Sequence, residues 1–187
     1  MSQFMPNTLT ATVDAELAAP TNAHSLTLLG KGGNIPDGFG SFQDDIIVTE
    51  NFKINDVTVT LKGMEHTWVG DLVVRLRHVE TETIIELFRR PGQPHFSSSG
   101  YSNDLRGDYS FSDRVESASR RVEHNTSNFD SAAAANAVIP SGSYTSLQPL
   151  AKFNGLSSTG TWRLIINDYS AGDSGSLDSW SLNLGRG

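Results

Sequence analysis

The sequence has no cysteine, which excludes disulfides, thiolate nucleophiles and cysteine-ligated zinc. Basic residues are scarce: 14 Lys and Arg stand against 21 Asp and Glu, a formal net charge of -7. A phosphate backbone or an anionic membrane surface needs a concentrated basic face. Only the short pairs Arg89-Arg90 and Arg120-Arg121 are present, so neither nucleic acid nor membrane is expected as a partner. No apolar run approaches the roughly 20 residues of a membrane-spanning helix. The opening MSQFMPNTLTATVDAELAAP lacks the basic start and continuous apolar core of a signal peptide. Helical periodicity is almost absent, and no repeat of about 20–50 residues is visible.

What is present is period two. Val57, Val59 and Leu61 fall on one face of NDVTVTLKG, and Leu72, Val74 and Leu76 on one face of DLVVRLRHV. TETIIELFRR follows across a short polar turn, which predicts a hairpin. Near the C-terminus, TWRLIIND places Trp162, Leu164 and Ile166 on one side, and SWSLNLG does the same with Trp180, Leu182 and Leu184. From Pro91 to Tyr144 the chain is rich in Ser, Asn and Asp; GDYSFSD reads as a short strand there, and NFDSAAAANAVIP holds a turn of helix at most. Short strands joined by Gly- and Asp-rich turns indicate an all-β sandwich or barrel. Residues 1–33 are rich in Ala, Thr and Asn, have poor periodicity and end in GKGGN. They read as an N-terminal extension or edge segment, in which AHSLTLL could pair as a strand.

Three blocks carry a family resemblance: HTWVGDLVVRL (66–76), NDLRGDYSFSD (103–113) and PLAKFNGLSSTGTWRLIINDYSAGDSGSLDSWSLNLG (149–185). Together with the upstream IPDGFGSF, they resemble the P domain that follows the catalytic domain in subtilisin-like proprotein convertases. The matching blocks run from about residue 34 to 187. The chain departs from that pattern in a long Ser97–Pro140 loop and in HVETETII, which stands where a Pro-Gly turn often joins two strands. The resemblance implies a jelly-roll β-sandwich over 34–187, and a secreted or cell-surface setting. It also implies a module that supports a neighbouring subtilisin-like protease, or another protein partner, without cleaving anything itself.

Read from the residues, the HTWVGDLVVRL stretch has a structural explanation. Gly70 suits a turn with positive φ, Asp71 can accept backbone N–H bonds, Trp68 can cap the core with its indole N–H at the wet rim, and His66 can bond a neighbouring loop. A serine hydrolase needs a nucleophile on a strained turn, a base and an orienting acid. The chain has no G-x-S-x-G elbow, and its PSGSY around Ser143 reads as a turn before a strand. None of its five histidines forms a close ligand pair, and His78, His95 and His124 fall in segments that read as exposed. No catalytic or cofactor-binding residue is assigned.

The acidic loops are the candidate metal site. Calcium takes six to eight oxygens, and Asp71, Asp104, Asp168 and Asp173 could meet around one ion at an end of the sandwich. Turn chemistry alone also accounts for Asp and Asn in these loops. Phe88, Phe96, Tyr101 and Tyr109 offer rings on which a carbohydrate could stack. The alternative to a protease-supporting module is thus a calcium- or carbohydrate-binding jelly roll.

Overall fold

Alternation of large apolar with small polar residues sends one side of each strand inward, and the chain solves the resulting burial problem with two facing sheets. The computed structural model describes residues 24–38, 40–113 and 128–187. Its strands are β1 (Ser25–Ile35), β2 (Ser41–Val48), β3 (Ile54–His66), β4 (Leu72–His78), β5 (Thr83–Arg89), β6 (Asp104–Ser112), β7 (Val138–Ile139), β8 (Gly142–Tyr144), β9 (Gly160–Asp168) and β10 (Gly175–Arg186). Among the described residues the one α-helix, α1 (Phe129–Ala135), is capped by the Asn128 side chain, which accepts from the Asp130 N–H.

One sheet runs β1-β10-β3-β6-β7, with β8 also pairing β6; the other runs β2-β9-β4-β5. Most neighbours are far apart in sequence, because successive strands cross from one sheet to the other. That connectivity makes an all-β jelly-roll-like sandwich. Register aligns the inward residues: Leu182 lies opposite Leu28 and Val59, and Val59 opposite Phe111. In the second sheet Leu164 lies opposite Leu76 and Ile46 opposite Trp162. Trp162, Trp180, Tyr109, Phe111 and Phe153 are fully buried between the layers. Each large side chain so buried contributes on the order of 1.5–3 kcal/mol from removal of apolar surface.

Polar anchors keep the two indoles in place. Trp180 Nε1 donates to Asp44 Oδ2 at 2.8 Å, joining β10 to β2 across the sheets, and Trp162 Nε1 donates to the Ser158 carbonyl at 3.0 Å. Trp180 also explains a glycine. A Cβ on Gly30 of β1 would lie 1.9 Å from its Nε1, so the indole occupies the space where any other residue would carry its side chain.

The predicted faces of β3, β4, β9 and β10 and the β4–β5 hairpin are all present. SLTLL pairs as an edge strand, and GKGGN continues it: β1 runs along β10 from Ser25 to Ile35; residues 1–23 lie outside the described residues. Two readings need amendment. α1 spans seven residues, longer than one turn. PSGSY contributes β8 itself, through Gly142–Tyr144.

Candidate functional site

β3, β5 and β9 end, and β4, β6 and β10 begin, at the same end of the sandwich, so the loops between them converge there. His66 is the last residue of β3 in one sheet and Asp168 the last of β9 in the other. Their side chains meet, with His66 Nε2 3.1 Å from Asp168 Oδ2, and both are 0% exposed. The Trp68 backbone N–H donates to His66 Nδ1 at 3.1 Å. A nitrogen that accepts carries no proton, so the ring is the Nε2–H tautomer and donates to Asp168. The second Asp168 oxygen accepts from the Ser170 N–H at 3.0 Å. This pair staples the two sheets together.

Asp71 sits beside the staple. Its carbonyl accepts from Tyr169 N–H at 2.9 Å, and Arg90 Nη2 lies 3.6 Å from its Oδ1. Burial, above all, pushes the Asp71 carboxyl above its ordinary range; the negative charges of Asp168 and Asp173 push the same way, while Ser170 and Arg90 oppose them. Asp173 accepts from the Thr67 hydroxyl at 2.8 Å. Arg90 also donates through Nε to the Gly70 carbonyl at 3.0 Å and lies over the Tyr169 ring, 5.8 Å from its centroid.

Of the four candidate metal ligands, Asp71, Asp168 and Asp173 are thus brought into one electrostatic neighbourhood. Asp104 opens β6, where its carboxylate lies 3.4 Å from Arg106 Nη2. It lines a cleft of about 530 Å³ together with Glu65, His66 and Thr67. Among the described residues, no group of three or more His, Asp and Glu is arranged to hold a metal ion.

Several details of the opening motif differ from the sequence reading. Gly70 does not have positive φ. It is required because a Cβ there would lie 2.4 Å from the Ser99 carbonyl oxygen and 2.8 Å from Gly100 Cα. The carboxylate that closes a turn by accepting a backbone N–H is Asp168, whereas Asp71 faces Arg90 and Ser170. Trp68 does reach the rim, donating from Nε1 to Ser99 O at 2.9 Å. His78 is buried, not exposed: it packs 4.7 Å from Trp162, with Nδ1 on the Thr81 hydroxyl and Nε2 on the Thr159 carbonyl. His95 is exposed; His124 and Arg120-Arg121 lie outside the described residues.

The rings divide as well. Phe88 and Tyr109 belong to the core with Phe111, Phe129 and Tyr144. Phe96 is 65% exposed and leans on Tyr101 at 4.7 Å.

Chemically, the His66–Asp168 pair is unsuited to acid–base work on a substrate. Both ring nitrogens are engaged, neither by a hydroxyl nucleophile, and the ring has no exposed edge. The sequence missed Arg90, Thr67 and Ser170 as members of this cluster. It gave no sign of the His66–Asp168 pairing either, since the two residues are 102 positions apart.

No curated protein sequence matches this chain. Among solved structures, a serine protease of Aeromonas sobria in complex with its chaperone is 17% identical, with a TM-score of 0.47. The same bacterium's serine protease without the chaperone is 16% identical, with a TM-score of 0.46. Each match covers 87% of this chain and 27% of the protease, so the chain spans about a quarter of those proteins' length. The sequence profile of the Proprotein convertase P-domain matches residues 117–184. That stretch takes in α1, β7, β8, β9 and most of β10, and it includes the GTW and SWSL strands on which the resemblance rests.

Proposed function

We propose that this chain is a non-catalytic accessory module that packs against a subtilisin-like serine protease domain and stabilises it. The P-domain match over 117–184 carries the reading. The loop end supports it, because the buried His–Asp pair there is engaged in holding two sheets together. A module that binds only the folded form of its partner stabilises that partner by mass action, by about 2.7 kcal/mol at a hundredfold excess over Kd. Sedimentation of the purified chain with the subtilisin-like catalytic domain from the same source tests the proposal. A saturable one-to-one complex is expected; independent sedimentation at tens of micromolar would refute it.

A calcium-clamped loop cluster is the second reading, favoured by the convergence of Asp71, Asp168 and Asp173, where burial first, and the two neighbouring charges after it, push the Asp71 carboxyl up. An ion there would relieve the repulsion, but it would have to displace Arg90 from Asp71 and share the oxygen bonded by His66. A melting temperature that rises with calcium in the parent and not in Asp71→Asn would support it. An unchanged melt between excess calcium and excess chelator would remove it.

A further inference from the structure

The three loops 66–71, 90–103 and 168–174 carry four aromatic residues at the loop end of the sandwich. Trp68 is held by its bond to Ser99 O, and the Tyr101 carbonyl accepts from Gly70 N–H at 3.0 Å. Phe96 leans on Tyr101, and Tyr169 lies under the Arg90 guanidinium. Phe96 and Tyr169 remain 65% and 39% exposed. The backbone that carries them is tied between loops by Val69 N–H to Asn103 O and Tyr169 N–H to Asp71 O, both at 2.9 Å, and across the 90–103 loop by Tyr101 N–H to Pro91 O at 2.8 Å. The loop backbones are therefore ordered before any ligand arrives, which lowers the ordering cost of binding.

We propose that this aromatic surface is a carbohydrate-binding site that takes a neutral polysaccharide chain. A sugar ring offers a face of C–H bonds, which the electron-rich face of an aromatic ring attracts, and a rim of hydroxyls that need polar partners. Ser98 and Ser99 are exposed on the same loops and supply such partners. Arg90 is paired with Asp71 and Arg89 with Glu86, and Asp168 and Asp173 add negative charge on the third loop, so the surface repels an anionic chain and leaves a neutral one as the fitting ligand. The only Leu, Ile, Val or Met on these three loops is Val69, which is buried. The inference goes beyond the accessory role and does not depend on it.

Native gels cast with xylan, galactomannan, mixed-linkage β-glucan or hydroxyethylcellulose test the site. At least one polysaccharide should retard the parent chain, and Phe96→Ala with Tyr169→Ala should weaken that binding by about tenfold or more, a loss of ~1.4 kcal/mol. Leu29→Ala, on a strand face away from these loops, should bind like the parent, and all variants should keep the parent's circular dichroism spectrum. Unaltered mobility in all four gels overturns the proposal, as does equal retardation of the double variant. A double variant that binds sugar normally but no longer binds the catalytic domain would make the surface a protein-docking site, and would also overturn it.

Discussion

Asp168→Ala tests whether the buried His–Asp pair is structural. Both Asp168 oxygens accept hydrogen bonds, from His66 Nε2–H at 3.1 Å and from Ser170 N–H at 3.0 Å. The substitution leaves the His66 donor where its side chain is 0% exposed, and an unsatisfied buried donor costs about 1–3 kcal/mol. Loss of the Ser170 bond adds about 1 kcal/mol. Removing a negative neighbour of Asp71 offsets a little of this, leaving a net loss of about 3 kcal/mol. For a domain of this size each kcal/mol moves the midpoint by about 2–4 °C, so a fall of about 10 °C is expected. Asp168→Asn keeps an acceptor for one partner and turns an amide N–H2 toward the other, so its loss should lie between parent and alanine. The assay is thermal unfolding followed by tryptophan fluorescence, with a urea titration to confirm an unchanged m-value. A midpoint within about 2 °C of the parent would show that the pair does not hold the sheets together.

Three further outcomes follow from the same geometry. Because the folded-state pKa of Asp71 is raised above its ordinary 3.8, the folded protein holds that proton more tightly than the unfolded chain does. The group's stabilising contribution is therefore complete below about pH 3.8 and is lost as pH rises through the raised value. Asp71→Asn should accordingly melt no lower than the parent at pH 7, and its relative advantage should shrink toward pH 4; the opposite trend across a pH series of melts would contradict the assignment. Gly30→Ala forces a Cβ to within 1.9 Å of the fully buried Trp180 indole, and should cost about 1–3 kcal/mol, read as a lower denaturation midpoint with altered tryptophan emission. Glu82, exposed in the β4–β5 turn, has φ 55, a region that penalises residues with a Cβ by about 1–2 kcal/mol. Glu82→Gly should therefore raise the melting temperature by about 1–2 °C after its own entropic cost; a fall would contradict this.

The central strands were legible because their faces are defined by side-chain period alone. Trp162, Leu164 and Ile166 point inward with no local competitor. β1 was harder to read: its inward side carries Gly30 and Gly32, whose space is taken by Trp180 and by the β10 backbone, and glycines break an apolar pattern. His78 was misplaced for a related reason. Its segment is polar in sequence, but in space the ring packs tilted against Trp162 and its two nitrogens bond Thr81 and Thr159. At the loop end, the sequence singled out the 66–71 stretch and the acidic loops but not how they pair. His66 with Asp168, and Arg90 with Asp71, are contacts between strands and loops brought together only when the two sheets close. The core rings Phe88 and Tyr109 and the surface ring Phe96 look alike in sequence, and only strand register separates them.

The most direct test of the accessory-module account is the melting temperature of the same-source subtilisin-like catalytic domain, alone and with saturating amounts of this chain. The account predicts a rise of several degrees that saturates at one module per protease, consistent with a linkage of about 2.7 kcal/mol at a hundredfold excess over Kd. A protease melt that stays unchanged at saturating concentrations would contradict it.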